Sequence, residues 1–202
     1  MNFPDVLKKR RAVREYTQAA IERPEIEALI NAAIEAPSAM NLQPWAFAVV
    51  LGREQIDGYA KRAKDWLFAN LSQLSNPAQR RLEQRILDDP NFTLFYHAAA
   101  LVLVLAKSSE AQADEDCCLA AENLMLAARD HGLGSCWIGF ARPWLNSPET
   151  KTELGLPAQY QVVAPIVIGH PVAWPESHGR KPAEIFWLSP VQAQAPPLVT
   201  KI

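Results

Sequence analysis

Between residues 114 and 131 the chain carries a helix-length segment with an acidic start and a stop at Gly132. Cys118, Leu119, Ala121, Leu124, Met125, Leu126 and Ala128 spread its apolar surface over well over half of the circumference. A helix with a single apolar stripe lies on a surface, whereas one that is apolar nearly all round lies at a centre, either of a core or between subunits. Whatever else the chain builds must be arranged about this segment.

Four short stretches read as strands. Residues 45–51 (WAFAVVL) are rich in β-branched and aromatic side chains, and residues 101–105 (LVLVL) and 161–168 (QVVAPIVI) are apolar without alternation. Strands covered on both faces have that pattern. Residues 135–138 allow a fourth, short strand. Helices are expected over 24–36, 56–71 and 77–87, with a small one starting at Ser147-Pro148 and ending at Gly155. In the first of these, Ile26, Leu29, Ile30, Ala33 and Ile34 recur at helical spacing, Pro24 suits the first turn and Pro37 ends it. Helices outnumber strands and the two do not alternate regularly, which argues for a layered α+β fold rather than a doubly wound sheet. There is no internal repeat and no domain boundary, so residues 1–202 read as one domain. Residues 191–202 (VQAQAPPLVTKI) have too few apolar partners to fold alone and are expected to be disordered or wrapped on another surface.

Several function classes are excluded early. A formal net charge of −2 gives no general attraction to nucleic acid or an anionic membrane. The longest apolar run, residues 98–106, is about half of what a helix needs to cross a bilayer. Cys117, Cys118 and Cys136 form neither a disulfide framework nor a CxxC zinc pair. Together with the lack of an apolar leader in residues 1–9, they predict a reduced, cytoplasmic protein. His97, His131, His170 and His178 have no metal-ligand spacing, and neither a GxSxG elbow nor a P-loop is present. Cys136 has no charged sequence neighbour to lower its pKa and reads as an inert thiol.

Four stretches could carry chemistry. In KKRRAVREY, Arg10 and Arg14 would stand one turn apart on a helix face, either as a fork for a phosphate or as part of a solvated basic face. Arg180 and Lys181 form a second basic pair, significant only if the fold brings it to the first. In GLGSCWIGF, Gly132 suits a helix C-cap, while Gly134 and Gly139 could leave bare backbone for a flat ligand. Residues 36–45, APSAMNLQPW, form a loop too specified by its prolines and small polar residues to be a mere connector.

In order along the chain, RRAVREY, APSAMNLQPWAFAVV, EDCCLAAENLMLAARDHGLGSCWIG and IGHPVAWPESHGRKPAEIFW resemble the FMN-dependent nitroreductase family, from about residue 8 to residue 187. The resemblance implies a three-layer α+β fold with a central, largely antiparallel sheet flanked by helices. It also implies an intertwined homodimer with two FMN sites at the interface, the tail 191–202 packing on the partner subunit. Pro37, Ser38, Ala39 and Asn41, with Met40 between them, would reach the flavin bound mainly by the other subunit, and Gln43 would help to fix that loop. Arg10 and Arg14 match positions at the phosphate and the pyrimidine end, with Arg11 beside them and Ala12 where many members have serine. Trp137, Ile138 and Gly139 match the backbone lining the flavin N5 edge, Asn91 an asparagine near the pyrimidine edge, and Arg180, with Lys181 beside it, a phosphate ligand.

The activity implied is ping-pong hydride transfer from NADH or NADPH through flavin N5 to a nitroaromatic, a quinone or a related small-molecule acceptor. No side chain is assigned as catalytic, although Arg14 could stabilise charge on the reduced ring. Two alternatives stand beside it: a flavin or quinone reductase that reduces nitroaromatics incidentally, and a non-catalytic flavin-binding or storage protein.

Overall fold

Alternation along the central strand explains how the helices are shared out. In the computed structural model, which describes residues 1–73 and 76–187, β2 (Ala100–Ala106) is buried along its whole length. Val102 and Val104 point to one face, and Leu101, Leu103 and Leu105 to the other, the period of two that a pleated strand imposes. Each face therefore needs its own cover. One receives α2 (Arg23–Ala33) and α5 (Ala111–Asp130) through Ile26, Leu29, Ala120, Ala121, Leu124 and Ala128. The other receives α3 (Arg53–Asn70) and the short α6 (Arg142–Leu145) through Ile56, Ala60, Ala63, Leu67, Trp144 and Leu145. The result is the three-layer α+β architecture expected.

The sheet has the order β1-β2-β4-β3, every pairing antiparallel, with β1 at Trp45–Leu51, β3 at Gly134–Trp137 and β4 at Gln161–Gly169. Its register puts Trp45, Ala106 and Gln161 at one end and Leu51, Ala100, Gly169 and Gly134 at the other, and the short β3 reaches only to Trp137, opposite Ile166 and level with Val102 in mid-sheet. β1 and β3 are its two edges. α1 (Phe3–Lys9), α4 (Pro77–Asp88) and α7 (Pro148–Glu153) complete the helices described.

The long helix sits at the centre, but its buried side is narrower than the sequence suggests. Ala113, Asp116, Cys117, Ala120, Ala121, Leu124, Met125 and Ala128 are buried, whereas Cys118 and Leu119 are exposed. Burial pushes the Cys117 thiol up to about 12, with Asp114 adding to the effect. The expected 24–36 helix closes earlier, at Ala33, and Ile34 caps it.

The N-terminal basic segment departs from expectation. α1 ends at Lys9, and Arg10 is already extended at φ −60°, ψ 135°. Arg10 and Arg14 therefore stand on extended chain, where residues two and four apart share a side, and not one turn apart on a helix. Val13 N–H donates to the Ser135 carbonyl at 3.0 Å, and Thr17 N–H to His170 at 2.8 Å. The segment thus runs along the free side of β3 and onto the chain that leaves β4. Two glycines make this approach possible. A Cβ on Gly134 would lie 2.8 Å from Val13 Cβ, and one on Gly169 would lie 2.5 Å from the Tyr16 ring. Gly134 is accordingly covered by Val13 and does not present bare backbone to a ligand. Tyr16 donates its hydroxyl to the Val13 carbonyl at 2.7 Å, and burial, then the nearby Cys136, drives its pKa upward.

Among the described residues no helix is long and apolar enough to cross a membrane. The expected partner-wrapping tail, 191–202, lies outside the described residues.

Candidate functional site

The free edge of the sheet carries a cleft with one cation in aromatic surroundings. Arg14, Ile86, Phe92, Leu94, Tyr96, Cys136, Trp137, Ile138, Gly139 and Phe140 line a cavity of about 210 Å³. Phe92 meets Tyr96 edge-on at 6.3 Å and Phe140 at 6.4 Å, so the three rings form a continuous wall. The Arg14 guanidinium stands 5.9 Å from the Tyr96 ring centre. Tyr96 and His97 both take a left-handed φ of 53°, a conformation non-glycine residues adopt only when neighbours enforce it. Arg53 supplies that enforcement, donating to the carbonyls of His97 and Thr17 and so tying the turn before β2 to the basic segment. Lys64 holds the start of the same turn through the carbonyls of Asp89 at 2.7 Å and Phe92 at 3.2 Å.

Cys136 lies at the floor of this cleft. Burial raises its pKa, while Arg14, which hydrogen-bonds it, and Arg10 pull it back down. The sequence showed no charged neighbour for this thiol because both guanidiniums come from the segment laid along β3. Arg10 reaches the same neighbourhood and pairs with Glu122 of α5 at 3.7 Å. Arg11 points elsewhere: its Nη1 donates to the carbonyls of Lys8 and Arg10, and its charge depresses the pKa of Arg129 after burial has done so. Arg129 lies 3.4 Å from the Trp174 ring centre. Ala12 is paired to Ser135 as an isolated bridge.

At the end of β3, Gly139 is open. A Cβ there would meet only Trp137 Nε1, at 4.0 Å. Of the two glycines read as ligand backbone, this one borders the cavity, and Trp137 and Ile138 line it beside Arg14. Asn91 is exposed on the turn just before Phe92 and is not among the lining residues.

The loop 37–43 is built with equal care, at another corner. Met40, Asn41 and Gln43 have φ of 49°, 56° and 49°, three left-handed residues in four positions. Ser38 Oγ accepts the Gln43 N–H at 3.0 Å, Gln43 Nε2 donates to Asn41 Oδ1 at 2.9 Å, and the Ala39 N–H reaches the buried Asp116 carboxylate at 3.2 Å. Lys107 N–H to the Pro44 carbonyl, 2.8 Å, fixes its exit. The ordered loop then leaves Met40 93 % exposed, with Pro37 and Asn41 also facing outward.

This loop enters β1, while Arg14 stands beside the far edge, at β3. Three strand spacings, roughly 14 Å, separate the two edges. The loop also lies at the Trp45 end of the sheet and the basic segment begins at the Gly134 end. One chain therefore does not bring the loop to the cleft. Arg180 and Lys181 are both exposed. They lie on an exposed segment that also carries Phe186 and Trp187, and Arg180 Nη1 donates to the Gly179 carbonyl.

An aromatic cleft with one guanidinium and an open backbone glycine fits a flat, electron-accepting ring. Its volume in one chain falls below the roughly 300–1,000 Å³ of enclosed ligand sites, so a larger ligand needs further surface to cover it. Asp116, Tyr96 and Phe92 were not singled out from the sequence. The acidic start of the long helix was visible, but not that one of its carboxylates turns inward to a loop 77 residues away.

An edge-opened antiparallel α+β sheet with a cation-and-ring cleft defines a small-molecule-binding class, and comparison with known proteins narrows it. The model of the Nitroreductase family matches residues 7–170. A protein of Archaeoglobus fulgidus named provisionally as an NADH dehydrogenase/NAD(P)H nitroreductase is 32% identical over 165 residues, covering 80% of this chain and 81% of its own. The iodotyrosine deiodinase of Thermotoga neapolitana is 30% identical over 177 residues, with 83% and 87% coverage. A nitroreductase of Bacteroides fragilis, solved with bound FMN, superposes with a TM-score of 0.78 at 25% identity, over 94% of this chain and all of that one. The chain belongs to the nitroreductase family.

Proposed function

We propose that this chain is an FMN-dependent NAD(P)H oxidoreductase that works as a homodimer and reduces a small nitroaromatic, quinone or related acceptor. The observation that carries the reading is the cleft at the free sheet edge. Its walls are aromatic, its charge is a guanidinium, and it is incomplete in one chain. FMN, when bound, would supply the hydride chemistry between NADH or NADPH and the acceptor.

The chain's own residues hold, orient and shield. Arg14, in a partly water-excluded cleft, favours negative charge on whatever ring lies beside it. Arg10, with Arg180 and Lys181 supplied from the exposed C-terminal segment, neutralises the phosphate. Trp137, Ile138 and Gly139 form the backbone rim, and the open face of Gly139 allows close approach. Asn91, exposed on the turn before Phe92, would serve the pyrimidine edge of the ring. Ala12 brings no hydroxyl where many members of the family offer serine, so its backbone alone serves there. The partner subunit's copy of the loop would supply its Pro37–Gln43 surface, already ordered before it meets the cofactor. The whole chain acts as one domain.

FMN-bound structural relatives and nitroreductase-named sequence relatives support this reading. The test is optical. Purified protein should be yellow, bleach with NADH or NADPH under nitrogen, and recover its colour with a nitroaromatic or a quinone. Yellow protein that neither nucleotide bleaches would instead be the non-catalytic flavin binder.

A further inference from the structure

The chain that leaves β4 is held in two stages. Thr17 N–H donates to the His170 carbonyl and Val172 N–H to that of Glu15, with Tyr16 paired to Pro171, so residues 170–172 run antiparallel beside residues 15–17. In an antiparallel pair the two residue numbers keep a constant sum, which sets Trp174 opposite Val13 and Ser177 opposite Arg10 if the register continues. Trp174 and Val13 do line one small space together. From Val172 to Trp187 every residue is exposed except Trp174. Whatever directs this exposed arm therefore acts through that ring.

Arg129 of α5 holds it. The Arg129 guanidinium lies 3.4 Å from the Trp174 ring centre, a planar cation stacked on an indole. Its Nε is buried without a hydrogen-bond partner. The carboxylates of its own helix face are committed elsewhere, Asp130 to the amino terminus and Glu122 to Arg10 at 3.7 Å. Glu122 and Arg129 stand two turns of α5 apart, and so share a face with about 10 Å between them. One helix face thus fixes Arg10 at one point and the start of the exposed arm at another.

The arm itself is short and stiff. Pro175 follows Trp174 and Pro182 follows Lys181, each biasing the residue before it to extended backbone. Gly179 takes a φ of 72° and donates its N–H to Ser177 Oγ at 3.2 Å, which makes a turn immediately before Arg180. The residues from Trp174 to Arg180 span at most about 20 Å, twice the spacing of the two anchor points, so the arm is long enough to bring Arg180 to Arg10. Charge alone does not bring it there. Arg180 and Lys181 are matched on the same arm by Glu176 and Glu184, so an unplaced arm has no net attraction to an anion.

We infer that the Arg129–Trp174 stack is a clasp that places Arg180 and Lys181 at the phosphate of the bound cofactor, and so makes the site select FMN over riboflavin. The inference rests on the proposed FMN dependence and adds two positioning residues to it. Both act through Arg180 and Lys181 rather than by touching the flavin.

The test is a comparison of two flavins that differ only in the phosphate. Full-length protein stripped of flavin is titrated with FMN and with riboflavin at low salt, and binding is read from the quenching of flavin fluorescence. The wild type should bind FMN at least about tenfold more tightly. Trp174→Ala should weaken FMN binding about tenfold, the scale of a lost charge-assisted hydrogen bond, and leave riboflavin within about twofold. Arg129→Leu should reproduce that split, and Trp174→Phe, which keeps a ring for Arg129, should retain most of the FMN affinity. In a chain already carrying Arg180→Ala and Lys181→Ala, Trp174→Ala should change little further, since the clasp has nothing left to place. Equal weakening of both flavins, or a full further loss in that doubly substituted chain, would make Trp174 a purely structural residue and overturn the clasp. Equal affinity of the wild type for the two flavins, or unchanged FMN binding in Trp174→Ala, would overturn it as well while leaving flavin binding standing. Protein that binds neither flavin would overturn the proposed activity and the clasp with it.

Discussion

At Gly134 a single missing methyl group decides whether the N-terminal segment can lie on the sheet. Gly134→Ala would press a Cβ to within 2.8 Å of Val13 Cβ, against a fully buried side chain in a packed core. Overpacking of this kind costs about 1–3 kcal/mol. Urea titration should register that loss, and Val13→Ala should recover part of it when combined with Gly134→Ala, because the two residues share one contact. Strict additivity of the two changes would mean that the approach of Val13 is not what the glycine serves. A second residue-scale expectation concerns alkaline pH. The Cys117 thiol titrates at about 12 in the folded chain, against 9.0 for the free side chain. Between those values the unfolded chain binds fewer protons, so stability falls as pH rises through the window, by about 1.4 kcal/mol per pH unit for this group. Cys117→Ala should flatten the slope of unfolding free energy against pH above 9 by about one proton, and an unchanged slope would count against the burial of this thiol. Residue roles were the least legible layer of the sequence. Gly134 read as ligand backbone because a glycine's spacing does not say which neighbour fills its empty side. Cys136 read as lacking cations because its arginines arrive from more than 120 positions away.

Elements were far easier to read, and the reason is periodicity. The apolar runs at residues 101–105 and 161–168 became the two central strands, and the small helix begins at the Ser147 cap and stops at Gly155, which has φ 65°. Patterning failed where a segment is short or its partner distant. RRAVREY reads as a helix face, whereas its pairing with Ser135 and His170 makes it extended chain. The loop at 37–43 was legible as specified, but its anchor was not. Asp116 is buried and acts as the acceptor for the Ala39 N–H, a hydrogen bond to a charged group that contributes about 1.5–3 kcal/mol. Asp116→Ala should accelerate amide exchange at Ala39. It should also weaken FMN binding severalfold, since a loop that must first be ordered binds less tightly. Asp116→Asn keeps one acceptor oxygen and should fall between the two. A freed loop with unaltered FMN affinity would remove residues 37–43 from the site.

At the scale of the whole molecule the arrangement of corners makes the strongest demand. The loop enters at the β1 edge and the Arg10–Arg14 segment lies beside the β3 edge, with the width of the sheet between them. If both belong to one site, that site draws them from different chains, and a two-fold dimer then holds two such sites. This can be tested by complementation. One variant carries Arg10→Ala and Arg14→Ala, and the other has Pro37, Ser38 and Asn41 replaced by glycine, alanine and alanine. Each alone should bind FMN poorly, because both of its sites lack the same half. Unfolding and refolding the two together produces mixed dimers in which one site combines both lesions and the other combines neither. Random pairing makes half of the dimers mixed, so about a quarter of wild-type FMN binding should return. Flavin absorbance after gel filtration, with the chains distinguished by an affinity tag on one of them, measures it. No recovery in isolated mixed dimers would mean that the loop and the arginines of one chain act together, against the separation its sheet imposes.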